Sequence, residues 1–259
     1  KLNAEGAWGA KGDVLHLALD APHLAALGHD LGGRAGASGQ LSGTLDAPTG
    51  ELQFFGEALR LPGSVRVLGL NGVARLDAGA DGPFQLAVGL SGLGPMGKDA
   101  DGVALPDWLV SARVSASGTR ARHEVVLDLL TPARDELADS LSLRLQGGLL
   151  DGSAQASARN TGPRWLGEVL ALETAGRVGA RLQAPARLAL SPSAVSLGVA
   201  EIVVEEQGRV QLQETTWSPQ RSVVRGSLTG LGLAAGSGRE RPANAQARRA
   251  PDQLMLGAE

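Results

Sequence analysis

The sequence predicts an all-β protein: a long antiparallel meander with one oily face and few, short helical turns. Apolar and polar residues alternate with a period of two in run after run. That spacing puts every apolar member of a run on one side of a pleated strand. Turn-forming clusters of Gly, Pro, Asp and Ser separate the runs. The apolar mass is aliphatic, with 43% of 259 residues hydrophobic, 3% aromatic and no Tyr. One oily face beside one wet face marks an antiparallel sheet, because parallel sheets are buried on both sides.

Leu15, Leu17 and Leu19 interleave with His16 and Ala18. Pro22 to Leu31 then reads as one or two helical turns, with Asp20 as candidate cap and Gly32-Gly33 as the stop. Leu41 and Leu45 alternate with Gln40, Ser42, Thr44 and Asp46. Ser64 to Asp77, carrying Leu70 and Leu76, reads as one long strand in preference to a hairpin at Asn71-Gly72. Its alternation slips by one between Val67 and Leu68, which a bulge accommodates.

Phe84, Leu86, Val88 and Leu90 form the next run, followed by a Gly- and Asp-rich loop over 95–107. Val110, Ala112, Val114 and Ala116 alternate with Ser111, Arg113, Ser115 and Ser117. Val125, Leu127 and Leu129 follow, then Leu141, Leu143 and Leu145. Arg164 to Leu172 admits a short helix or a strand, since Trp165, Val169 and Leu172 suit both. Leu182, Leu188 and Leu190, then Val195, Leu197 and Val199, then Val210 and Leu212, and finally Leu228 complete the oily set. Turns are marked by Pro48, Asp81-Gly82-Pro83, Asp101-Gly102, Asp151-Gly152, Pro192-Ser193 and Ser218-Pro219. The spacing suggests roughly a dozen strands of ordinary length. Residues 1–235 form one segment, 236–252 a low-complexity linker, and 253–259, with Leu254 to Leu256, the start of a further strand.

A net charge of −3 gives no electrostatic case for nucleic acid. The densest basic stretch, Arg239 to Arg249, is interrupted by Glu240, Pro242 and several Ala, and reads as solvated linker. Cysteine is absent, which removes disulfides, thiolate metal sites and Cys nucleophiles. No stretch approaches the ~20 apolar residues that span a bilayer, and the N-terminus lacks a signal-peptide pattern. Any membrane anchor is expected outside this chain.

Catalytic and cofactor motifs find little support. Gly92 to Gly97 matches G-x-G-x-x-G, but Lys98 to Gly102 continues as loop where that motif needs a helix N-terminus. His23 and His29, beside Asp30, do not stack on one helical face and gather no further ligand, so no metal is expected. His16 lies on a polar strand face and His123 beside Glu124 at a strand start. Asp135/Glu136 and Glu205/Glu206 read as solubilising pairs at strand ends. No cofactor is expected, and the chain reads as a non-enzyme. Trp8, Trp108, Trp165 and Trp217 each fall near a strand end. Their indoles suit either a water–lipid rim or ordinary core and edge packing.

Several stretches carry a resemblance. Gln40 to Pro48 (QLSGTLDAP) opens it, followed by GEALRL from Gly56, SVRVLGLNGVARLDAG from Ser64 and PFQLAVGLSGLG from Pro83. The later stretches Arg164 to Gly198 and Thr215 to Leu233 keep the same style. Together they resemble the central region of the TamB family (translocation and assembly module) of AsmA-like proteins in Gram-negative bacteria. The resemblance covers nearly the whole chain through degenerate, compositional motifs. The family's N-terminal membrane anchor and C-terminal domain are missing here, and 236–251 departs as a diverged or inserted linker. The resemblance implies a long sheet curled into an open, taco-like groove with an aliphatic interior. It also implies a periplasmic bridge between inner and outer membranes, serving phospholipid transport and outer-membrane protein assembly. An outer-membrane assembly β-barrel would be met through the missing C-terminal part, and the inner membrane through the missing N-terminal part.

The residues bear on the same expectation independently. Each exposed Leu forfeits ~2 kcal/mol of burial, and helices are too few to form a lid. The oily face must close on itself, meet a second sheet, or be covered by something apolar. Phospholipid acyl chains suit such a wall, being non-directional and indifferent to which aliphatic side chain they touch. The rival expectation is a β-sandwich or adhesin stalk whose two layers meet over a dry core. A scaffold lending a strand edge to outer-membrane clients fits the same fold.

Overall fold

The computed structural model describes the chain except residues 29, 78, 80, 134–136, 151–163, 206–207, 231–253 and 259. Among the described residues it holds eighteen strands and one 3-10 turn, Leu24–Ala26. The linker at 236–252 and the acidic pair Asp135/Glu136 lie outside the described residues, as do His29, Asp151-Gly152 and Glu206.

The first ten strands are β1 (Leu2–Gly6), β2 (Val14–Ala21), β3 (Gly32–Gly43), β4 (Pro48–Leu61) and β5 (Val65–Leu76), then β6 (Phe84–Pro95), β7 (Leu109–Gly118), β8 (His123–Leu130), β9 (Ser140–Leu150) and β10 (Arg164–Ala175). Each pairs antiparallel with the one before it, a plain meander. Ser64 to Asp77 is one strand as expected, with Asn71-Gly72 in its middle.

Beyond β10 the meander continues with its strands broken in two. β11 (Ala180–Leu182) and β12 (Ala186–Ser191) share the place beside β10. β13 (Ala194–Leu197) and β14 (Ala200–Val204) share the next, and β15 (Gly208–Leu212) and β16 (Thr215–Trp217) the third. Both tracks rejoin on β17 (Ser222–Thr229), which pairs on with β18 (Leu254–Ala258). Counting each broken pair once leaves fifteen strand positions, above the expected dozen.

The breaks fall in line. Pro185, which has no N–H for a ladder, precedes β12; Gly198-Val199 parts β13 from β14; Gln213-Glu214 parts β15 from β16. On β10, Val169 pairs with Ala186, and the ladder to β9 slips at Leu170. A crease thus crosses four neighbouring strand positions, and the tightest packing sits on it. Ala186, Ala200 and Thr215 are 1%, 4% and 0% exposed.

A second irregular line crosses β3 to β7. Gly33 faces both Ala58 and Leu59, a two-against-one bulge. The ladders then skip Ala58, Leu68, Gly92 and Val110. Ala58 takes a left-handed φ of 48°, a conformation that breaks strand alternation at this point. Leu59 consequently lies beside the vacant Cβ side of Gly56, and both Leu59 and Val67 are buried. The expected slip at Val67/Leu68 is real, but it belongs to a line crossing five strands.

One expectation is corrected, and one of two open readings is taken. Among the described residues of 22–31 the helical signal comes to the 3-10 turn alone; Asp20 belongs to β2, His23 at the N-cap makes no side-chain cap bond, and Gly32 opens β3. So short a segment cannot repay the cost of helix nucleation. Arg164 to Leu172 is strand. The spacing Trp165, Val169, Leu172 looks helical because one bulged residue, Leu170, shifts a period of two from odd to even positions.

Candidate functional site

Residues paired directly across a ladder project to the same face. One such row runs through Leu2, Leu19, Ala37, Phe54, Gly72, Val88, Val114, Leu127, Leu143 and Leu172, from β1 to β10. Nine strand intervals make it about 43 Å long. The neighbouring rows through Leu17, Leu86, Val125 and Leu145 and through Leu15, Leu41, Leu76 and Phe84 are as apolar. On the other side lie Leu70, Leu90, Leu129 and Leu141. Past the crease the same face carries Leu182, Val210 and Leu228, with Leu188, Leu190, Val195, Leu197 and Leu212.

Of the residues singled out from sequence, Leu45 and Val110 do not belong to these rows. Leu45 lies outside the strands, in the β3–β4 turn, and is 70% exposed. Val110 stands where the ladder skips a pair and is exposed. Sequence reading passed over Leu52 and Phe54, which sit in rows on this face. The doublet Phe54-Phe55 hid their parity, because Phe55 faces the other way.

Among the described residues nothing seals the apolar face. Its side chains are mostly half-buried, and Leu19, Leu52 and Leu149 are exposed. A hollow of about 270 Å³ lies among Leu17, Leu41, Leu52 and Leu76. Another of about 640 Å³ touches Leu109, Leu129, Leu141 and Val178, with the Arg177–Asp139 ion pair in its lining. A larger depression, about 860 Å³, belongs to the opposite, polar face. Small residues (Ala18, Ser38, Ala87, Gly89) floor it, and Phe55, Gln53 and Arg113 stand beside them.

Polar groups on the apolar face are hydrogen-bonded, as burial requires. The Thr174 hydroxyl donates to the Val178 carbonyl and the Thr215 hydroxyl to the Gln213 carbonyl, both at 3.0 Å. His123, expected only at a strand start, is buried here: its Nε2 accepts from the Trp165 indole at 2.8 Å, and its Nδ1 meets the Thr119 carbonyl at 3.0 Å. An accepting Nε2 leaves the ring proton on Nδ1. The expected aliphatic interior is therefore interrupted by the rings of Phe54, Phe84, His123 and Trp165, and His123 is a buried polar group on it. No local pattern signals the His123–Trp165 bond, whose partners are 42 residues apart.

Charges gather on the other face. Arg75 pairs with Glu51 at 3.1 Å, Arg34 with Glu57 at 2.7 Å, and Arg144 with Glu124 at 3.2 Å. Hydrogen bonds from Arg75 and Gln53 hold the Glu51 carboxyl below the usual carboxylate range; that from Arg34 does the same for Glu57, and Arg34 is raised in return. His16 is exposed on this face, and Glu205 follows β14 at a left-handed φ of 54°. Gly92 and Gly94 of the G-x-G-x-x-G match lie inside β6. Of the tryptophans, Trp165 packs into the wall, while Trp8, Trp108 and Trp217 are exposed at strand ends. No family model, curated protein or solved structure matches the chain.

Proposed function

We propose that the chain is a segment of a periplasm-spanning β-groove protein that shields acyl chains and conducts phospholipid between inner and outer membranes. A single observation carries the reading: an apolar face some 43 Å long, whose central row from Leu2 to Leu172 is apolar throughout and which no second layer among the described residues seals. A sandwich with a dry core would bury those leucines fully, and Leu19, Leu52 and Leu149 are 39–43% exposed. The Arg–Glu pairs of β3, β4, β5, β8 and β9 stand on the opposite face, and the central row from Leu2 to Leu172 carries no polar side chain at which a sliding tail would stop. The TamB-like style of the sequence points the same way.

Native mass spectrometry of the purified chain tests it. Phospholipid is expected to co-purify, and a folded protein free of lipid overturns the reading. Leu127→Asp, at the middle of the long row, is expected to abolish lipid co-purification while the far-ultraviolet β signal persists.

A further inference from the structure

Across β6 to β10 one row alternates large and empty positions: Phe84, Gly118, His123, Gly147, Gly167. Trp165 lies beside its end, and its indole fills the space above the last two glycines. A Cβ on Gly147 or on Gly167 would stand 2.5 Å from that ring. The indole therefore lies flat on the wall, directed back from β10 over β9 to His123 on β8. Phe84 continues the shelf, with its ring centroid 5.6 Å from that of His123.

β8 and β10 are not ladder neighbours; two strand intervals, about 9.6 Å, separate them. Ladder hydrogen bonds fix the spacing of adjacent strands and leave the angle between them soft, within a broad range of twist. A side-chain bond that crosses a whole strand on one face resists flattening toward the other. We infer that the Trp165–His123 bond is a tie that holds the wall curled toward its apolar face across β8, β9 and β10. On this assignment both are positioning residues for the groove, and the indole lies in the space left at Gly147 and Gly167, where a Cβ would also meet the neighbouring strand's backbone oxygens at 2.4 and 2.2 Å. The inference rests on the geometry of the face and not on what occupies it.

The chain has no cysteine, so Gln85→Cys with Arg187→Cys gives two clean spin-label sites. Both are exposed on the polar face, at the ends of the row Gln85, Ser117, Glu124, Gln146, Glu168, Arg187. Pulsed electron–electron dipolar spectroscopy reads their separation, whose backbone path is five intervals or about 24 Å. Trp165→Phe keeps a ring over the glycines and removes the donor; His123→Leu removes the acceptor; His123→Gln restores one. In Trp165→Phe and His123→Leu the labels, being on the outside of the curl, are expected to approach by about 3 Å, the travel of a label arm when roughly 20° of curl is lost. His123→Gln is expected to keep the parent distance. The tie is overturned if Trp165→Phe leaves the distance unchanged, or if His123→Gln moves it as far as Trp165→Phe does. Should His123→Leu fail to fold, the other two variants decide alone. Measured on lipid-stripped protein, the distances stand or fall independently of lipid binding.

Discussion

The strands before β10 and those after it share one alternation and one apolar face, yet they are built to different ends. Strands β2 to β9 form a wall of 8 to 14 residues per strand whose apolar side chains stay largely half-buried. In the creased part the strands shorten to between 3 and 6 residues, and the first side chain after each break, Ala186, Ala200 or Thr215, vanishes from solvent. Breaking a strand gives up ladder hydrogen bonds, but folding the sheet at aligned breaks lets small residues close on one another. The crease is therefore the nearest approach to a conventional core among the described residues, and the wall is a surface kept open. Stability and function need not be sought in the same half.

The same substitution placed in both halves probes that difference most sharply. Ala186→Leu forces three carbons into a site with no spare volume and is expected to cost about 1–3 kcal/mol. Ala37→Leu, in the long row of the wall, meets open space and is expected to stay within about 0.5 kcal/mol of the parent. Urea denaturation with an unchanged slope measures both. Equal losses at the two sites would mean that the wall is as tightly packed as the crease, and the distinction between them would go. A smaller effect is expected from Leu127→Ala. Removing a half-buried side chain forfeits only part of the full burial value, so about 1 kcal/mol is lost, well short of the 2–5 kcal/mol typical of a filled core.

How much of this was legible in the sequence follows the same division. In the wall, period-two alternation names the apolar face almost residue by residue, because an unbroken strand carries its parity from end to end. Parity fails where a residue is inserted or skipped. Leu170 left helix and strand both open, Val110 fell on a skipped pair, and Leu45 continued an alternation past the end of β3. The crease was invisible because it exists only when breaks in separate strands come into register, a property of the ladder and not of any run. The bond between Trp165 and His123 was invisible for a related reason: its meaning depends on Gly147 and Gly167 lying between them.

The smallest expected effect is set by acid. Glu51 and Glu57 both belong to β4, in the wall, and each is ion-paired across to a neighbouring strand, Glu51 to Arg75 on β5 and Glu57 to Arg34 on β3. Their carboxyls are held below the usual range by those hydrogen bonds. A depressed folded pKa contributes stability that is present above the ordinary carboxylate range and is lost as pH falls through that range to the folded value. Arg34, Glu57 and Arg75 are exposed and Glu51 is half-buried, so the loss is small and salt mimics it. Protection of the β3, β4 and β5 amides against hydrogen exchange is therefore expected to fall as the solution is acidified, while β12 and β14, flanking the crease at Ala186 and Ala200, hold theirs. If the crease amides open first, the wall is the more stable half, and Ala186 and Ala200 mark tight packing without marking where the fold is anchored.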